Sequence, residues 1–182
     1  VPYELTSGEE SPLVAIRYLL GLRLDQPIPP VAVRLGTTRG TNALITRRGA
    51  RTALITTRGF GDILHIGYQN RPRLFDLNIV KPPPLFAATI EIEERIAADG
   101  TVLQEIDAAA VKRQLTALKD QSIESLAVCL LNAYEHPQHE LVVDQAARQL
   151  GFEEISLSHR VAPLIKIVSR GDTTVMDAYL NP

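Results

Sequence analysis

Residues 31–49 read VAVRLGTTRGTNALITRRG, and this stretch decides how the rest of the chain is read. The apolar run from Val31 to Leu35 has strand character. It meets a small, hydroxyl-rich turn, and a short helix then runs toward Gly49, so the pattern predicts a strand delivering a polar turn to a helix. Thr37 or Thr38 suits the cap, Thr41 and Asn42 fall in or near the first turn, and Gly49 fits the left-handed position that closes such helices. The first-turn amides, with the hydroxyls of Thr37, Thr38 and Thr41 and the amide of Asn42, are suited to holding an anion or a carbonyl-bearing substrate at the positive helix end. The same composition also serves a helix that is merely capped.

Working outward, residues 9–22 place Leu13, Ile16, Leu19 and Leu20 on one helical face, with Pro12 in the first turn. Three prolines in residues 25–30 make a link. Residues 51–57 form an apolar strand, and the turn Gly59-Phe60-Gly61-Asp62 leads into a short helix through Ile66. Residues 68–86 lose all periodicity, and Lys81-Pro82-Pro83-Pro84 excludes regular structure there. Residues 89–96 and 101–106, around Asp99-Gly100, read as a β-hairpin. Residues 107–119 are a helix, 125–131 a continuous apolar strand that implies parallel pairing, 139–150 a helix closed by Gly151, 154–157 a strand and 173–180 a helix. The expected organisation is an amino-terminal α/β unit at 1–67, a loop and hairpin at 68–106, and a second α/β unit at 107–182.

Nineteen basic and twenty-one acidic residues leave a net charge of −2, which gives no footing for nucleic acid or an anionic membrane. A small molecule or a protein is the expected partner. The single cysteine, Cys129, excludes an internal disulfide and reads as a buried thiol. No apolar run approaches the roughly 20 residues needed to cross a bilayer, and no signal pattern opens the chain, so a cytoplasmic location is expected. With no Trp and 5% aromatic residues, the core must be aliphatic, as in layered α/β domains.

Neither nucleotide-loop signature, G-x-x-x-x-G-K-[ST] nor G-x-G-x-x-G after a strand, is present. His136 and His139, beside Glu135 and Glu140, have a spacing that suits a metal, but Pro137 marks a solvated helix start instead, and no metal site is expected. His65 and His159 read as structural. The planar fork of Arg71 suits a carboxylate or phosphate, or a tether to Asp76. Arg95, among Glu91, Glu93 and Glu94, reads as an ion-pair residue. Asp172 reads as the cap of the last helix, and Arg170 beside that helix start opposes the dipole, which calls for another reason for its presence.

Gly36-Thr37-Thr38-Arg39-Gly40-Thr41-Asn42-Ala43-Leu44, residues 59–67 (GFGDILHIG), Gln69-Asn70-Arg71-Pro72, Leu74-Phe75-Asp76-Leu77 and residues 169–174 (SRGDTT) resemble, in order, the amino-terminal region of the hydantoinase/oxoprolinase family. The resemblance covers residues 31–182. It implies a layered α/β fold with a mixed sheet, a piece of an actin-like or ribonuclease H-like ATPase architecture. It further implies an ATP- and Mg²⁺-dependent enzyme that opens cyclic amides, on the 5-oxoprolinase pattern of residues 64–67 and 74–77 or the N-methylhydantoinase A pattern of Asn70-Arg71-Pro72. Some relatives of the family carboxylate ketones, and a non-catalytic interaction domain of a multi-subunit complex is a further reading. On this resemblance Thr37, Thr38 and Asn42 line the site, and Arg71 and Arg170 bind an oxyanion or carboxylate. The family's G-G-T-F-T-D-type acidic phosphate motif is absent, and the chain opens without Met, so a fragment is expected. Such a fragment folds, binds no nucleotide by itself and meets the remainder of its polypeptide or a second subunit.

Overall fold

The computed structural model describes residues 8–34, 36–70, 75 and 77–182. Their contacts separate two compact units, one ending at Thr37 and one spanning Thr38–Pro182. The expected boundaries near 68 and 107 both fall inside the second unit.

In the first unit, Pro12 starts helix α1 (Ser11–Leu20), and Gly21, at φ 66°, closes it by donating to the carbonyls of Arg17 and Tyr18. Arg17 ties the helix to its surroundings: Nε lies 2.8 Å from Glu9 Oε2, and Nη1 donates to the carbonyls of Arg23 and Gln26. Residues 31–34 form no strand, and Val31 and Val33 are exposed. Alternation supplies a face, but a strand also needs a neighbouring ladder for its amides, and among the described residues none pairs with this segment.

The second unit is built on a wholly parallel four-stranded sheet of order β2-β1-β5-β6, where β1 is Thr52–Thr57, β2 Phe86–Ile92, β5 Ser125–Cys129 and β6 Glu154–Leu157. Every residue of β1 and β5 is buried, as a near-continuous apolar strand in a sheet covered on both faces should be. The period of two sorts their side chains. Ala53, Ile55, Leu126 and Val128 face a core completed by Val111, Leu115 and Leu118 of α4 (Ala108–Asp120) and Val143 and Ala147 of α5 (Gln138–Gln149). Leu54, Ala127 and Cys129 face Val175 and Ala178 of α7 (Ile167–Leu180), with Leu64 of α3 (Ile63–Ile66) against the same layer. Each fully buried Leu, Ile or Val contributes about 1.5–3 kcal/mol, so these two seams hold the layers together. Asp107 starts α4 by accepting from the amide of Ala109 at 2.8 Å, as its position predicts.

The layered α/β architecture is the expected one, with three departures. The residue-89 strand joins the parallel sheet beside β1, and only β3 (Arg95–Ile96) and β4 (Val102–Gln104) pair antiparallel, apart from the main sheet. Helix α7 begins at Ile167, well before Thr173, and Gly171 is an interior packing position within it: a Cβ there would lie 2.8 Å from Leu64 Cδ2. Finally α2 (Arg39–Thr46) closes at Arg47, which takes the left-handed conformation at φ 55°. Gly49 serves a different need, since a Cβ on it would fall 2.2 Å from the ring of Tyr179.

Candidate functional site

In this strand order the chain leaves β1 toward one edge and later fills its other side. Right-handed crossovers then require the connections to change face, and they do: α3 follows β1 on the α7 face, whereas α4 and α5 lie on the other. The carboxyl ends of β1 and β5 therefore form a topological switch point, the place where open parallel sheets bind ligands.

Buried charge surrounds this point. The hydroxyl of Thr57, the last residue of β1, accepts from the amide of Leu131 at 2.9 Å and donates to Glu94. The other oxygen of Glu94 bonds His139 Nδ1 at 2.7 Å, and both side chains are buried. Glu140, with no exposed surface, accepts four bonds: from the amide of Leu130 (3.1 Å), the hydroxyl of Ser158 (2.6 Å), and the amide (3.2 Å) and Nδ1 (2.7 Å) of His159. Arg170 is equally enclosed. It donates from Nη2 to the carbonyl of Leu130 at 2.7 Å and from Nη1 to that of Leu164 at 2.6 Å, with its guanidinium 5.5 Å from the centre of the Tyr134 ring. Leu130, directly after β5, is thus held by a carboxylate at its N–H and by a guanidinium at its carbonyl, on two successive peptide groups. Opposite charges brought this close offset each other's desolvation. Asn132, at φ 58°, follows directly and donates to the carbonyl of Ile96 at 2.9 Å. Cys129 lies in the same shell, and burial pushes its thiol up to about 11, with Arg170 opposing the shift. The thiol is therefore protonated and a poor nucleophile at neutral pH.

Chemically this cluster is a frame. Glu140 has both oxygens occupied by donors, and Glu94 likewise serves Thr57 and His139, so the network fixes the Leu130–Asn132 turn and presents no acid–base pair. Beside it, Glu91 accepts the amides of Gly59 (2.9 Å) and Gly61 (2.7 Å) in the turn after β1. A hollow of about 490 Å³ opens between α3, the segment following it, and the first turns of α7. Burial raises the carboxyl of Asp172 on its wall.

The sequence-predicted residues divide accordingly. Arg170 enters the switch point, where its two Nη groups donate to backbone carbonyls and its buried Nε has no hydrogen-bond partner among the described residues; the two carbonyls account for a cation near a helix start. Thr38 and Asn42 lie elsewhere: Gly40 of α2 packs on Leu180, so roughly 15 Å of α7 separates their helix from Arg170. Thr38 occupies the cap position, but its hydroxyl makes no capping bond; Asn42 Nδ2 lies 3.5 Å from it. Thr37 belongs to the first unit. Arg71 and Asp76 lie outside the described residues. The His139–Glu140 pair, expected at a solvated helix start, is buried. Its signal was legible in the spacing: Glu140 shares a helical stripe with Val143 and Ala147, and a carboxylate on an apolar stripe demands buried donors. Among the described residues no three His, Cys, Asp or Glu side chains could hold a metal ion, and the Gly59 and Gly61 amides already serve Glu91. These residues do not fit a magnesium–nucleotide site. No described helix is long and apolar enough to cross a membrane.

Strand order and crossovers together define a doubly wound parallel α/β unit. The chain belongs to the hydantoinase/oxoprolinase N-terminal region family, whose model matches residues 2–151. It is 38% identical over 176 residues to the 5-oxoprolinase of Dictyostelium discoideum, covering 83% of this chain and 14% of that protein. It is 30% identical over 197 residues to the acetophenone carboxylase gamma subunit of Aromatoleum aromaticum, covering 99% of this chain and 27% of the relative. The crystal structure of ATP-dependent caprolactamase from Pseudomonas jessenii superposes with a TM-score of 0.75 at 25% identity, over 97% of this chain and 27% of that one. The chain thus spans well under a third of the length of these relatives.

Proposed function

We propose that this chain is the amino-terminal region of a cytoplasmic, ATP-dependent hydrolase that opens a cyclic amide, with 5-oxoproline converted to glutamate. The observation that carries the reading is the 38% identity to a 5-oxoprolinase across 83% of the chain. An unactivated lactam opens slowly because charge must build on its carbonyl oxygen, and phosphorylation by ATP would supply the activation. Nucleotide and Mg²⁺ are assigned to the complete protein, and no step is routed through them here. The role of this chain is to bind and orient. Its frame at the end of β5 holds the Leu130–Asn132 turn rigid, while Thr37, Thr38 and Asn42 offer hydroxyl and amide donors at the start of α2, and Arg71 a fork for a carboxylate. The remainder of the polypeptide or a second subunit completes the site.

The test uses the complete enzyme, following glutamate release from 5-oxoproline with ATP consumption. Thr38→Ala with Asn42→Ala should lower kcat/KM by about 10- to 100-fold at unchanged melting temperature, since α2 has no buried residue and the substitutions remove only donors. The isolated 182-residue chain should fold and leave ATP intact. A second reading, a subunit of an ATP-dependent ketone carboxylase, is favoured by the 30% identity over 99% of the chain to a carboxylase subunit. Incorporation of bicarbonate carbon into a ketone, with no glutamate released from 5-oxoproline, would replace the first reading by the second.

A further inference from the structure

At the amino ends of β1 and β2, the end of the sheet away from the switch point, lies a second hollow, of about 400 Å³. We propose that it binds a small apolar monocarboxylate, with the guanidinium groups of Arg47 and Arg51 and the hydroxyl of Tyr179 holding the carboxylate.

The distribution of charge along the chain leads to this place. Between Asp25 and Asp62 stand six arginines and no acidic residue, so a chain of net charge −2 is strongly cationic over that stretch. Arg47, Arg48 and Arg51 fall in the short link that joins α2 to β1. Gly49 of the same link has no Cβ, which lets the ring of Tyr179 lie against the chain, and the amide of Ala50 donates to the Tyr179 carbonyl at 2.9 Å. The last turn of α7 is thereby fastened beside the link, and a helix-end carbonyl that would repel an anion is already covered.

Two arginines of the link line the hollow, and both are held in place. Arg47 donates from Nη1 to the carbonyls of Pro83 (2.8 Å) and Pro84 (3.3 Å), which fixes its fork at the rim with Nε and Nη2 unspent. The main chain of Arg51 is fixed from both sides: its amide donates to Glu124 Oε2 at 2.7 Å, and its carbonyl accepts from the amide of Glu124 at 2.9 Å. Its guanidinium has no partner among the described residues. Tyr179 lines the same space and is 6% exposed, and its hydroxyl has no hydrogen-bond partner among the described residues. A buried phenol ordinarily has a partner, and here only the hollow is left to supply one.

The count of charges selects the ligand. Two guanidinium groups against the Glu124 carboxylate leave one positive charge in excess, which a monoanion balances, whereas a dianion would meet Glu124. The planar forks match the two oxygens of a carboxylate, and the phenol adds a neutral donor. Pro84, Leu85 and Phe86 give apolar surface that only a ligand with a hydrocarbon body would use, and about 400 Å³ is the size of a small-molecule site. Thr38 and Asn42 stand toward the other end of α2, whose eight residues span about 12 Å, so this site is separate from the donors placed there.

The experiment titrates the 182-residue chain, uniformly ¹⁵N-labelled, with 4-methylpentanoate, with 4-methylpentanamide, which keeps the body and loses the charge, and with inorganic phosphate. The amide signals of Ala50, Arg51 and Ala87 should move with 4-methylpentanoate, and the other two probes should each bind at least about tenfold more weakly. Arg51→Gln should weaken 4-methylpentanoate by about tenfold, the loss of one charge-assisted hydrogen bond, and leave 4-methylpentanamide unchanged. Tyr179→Phe should weaken 4-methylpentanoate by about three- to tenfold at unchanged melting temperature, because the hydroxyl it removes holds no other part of the protein. A spectrum with parent-like dispersion certifies the fold of each variant, and Tyr179→Phe keeps the test decisive if Arg51→Gln disturbs the start of β1. Shifts absent at millimolar 4-methylpentanoate, shifts confined to other residues, phosphate bound as tightly as the carboxylate, or undiminished affinity in the folded variants would overturn the proposal.

Discussion

Replacing Arg170 by Met tests whether the grip on the end of β5 is structural. Met fills a comparable volume and removes a buried charge, which by itself is neutral or favourable. Against this stand the buried carbonyl of Leu130 and the part-buried one of Leu164, which lose donors at 2.7 and 2.6 Å, and a buried Glu140 that loses a nearby positive charge. Bonds to a charged donor are worth about 1.5–3 kcal/mol each, and breaking one side of a buried charge system costs about 3–5 kcal/mol, so the losses outweigh the gain. We expect Arg170→Met to lower stability by about 3–5 kcal/mol, or roughly 6–20 °C in Tm for a chain of this size. Arg170→Lys, able to reach one carbonyl, should fall between. Urea unfolding of the 182-residue chain followed by circular dichroism measures both. A loss below about 1 kcal/mol for Arg170→Met would refute the structural role, and would return the guanidinium to ligand binding.

Three further outcomes follow from particular contacts. Gly49→Ala drives a methyl into the buried Tyr179 ring and should cost about 1–3 kcal/mol, while Gly36→Ala, with open space around it, should stay within about 0.5 kcal/mol of the parent. The Cys129 thiol, raised from 9.0 to about 11 in the folded state, contributes stability that is complete below pH 9 and lost as pH rises toward 11. Parent stability should therefore fall more steeply than that of Cys129→Ser across that window, by up to roughly 3 kcal/mol, and alkylating reagents at pH 8 should label the thiol only after unfolding. Asp172→Asn should stabilise the unliganded chain slightly at pH 7, an advantage that disappears below about pH 4 where the parent carboxyl is also neutral; an unchanged difference at pH 3 would show that burial is not the cause.

Elements with strong local signals were legible in the sequence. The apolar run of β1 and the 3.6-residue stripe of α4 each stand where their residues place them. Features decided at a distance were not. Residues 31–34 have the pattern of a strand and pair with no other described segment, the residue-89 strand was drawn to β1 and away from the nearer Thr101 segment, and α7 extends back through Gly171, where Leu64 packs. The same holds for the site. Glu94, His139 and Glu140 are ordinary polar residues in one dimension and become a frame only when β1, β5 and α5 meet. Arg170 reads in the sequence as a charge needing a reason, and the structure gives it two backbone carbonyls as partners, neither of which any local pattern announces.

The central place of β1 also bears on how the chain emerges from the ribosome. Thr56 of β1 donates its hydroxyl to the carbonyl of Cys129, 73 residues later in the chain. At about 5–20 residues per second, β1 waits roughly 4–15 s after its own synthesis before that partner exists. During this interval TALITT is an uncharged, sheet-forming segment of the length that nucleates intermolecular β-structure. Arg51 and Arg58 stand immediately at its two ends. Their charges repel a second nascent copy at both ends of the segment, so the arginines guard the strand during the period when its own sheet cannot.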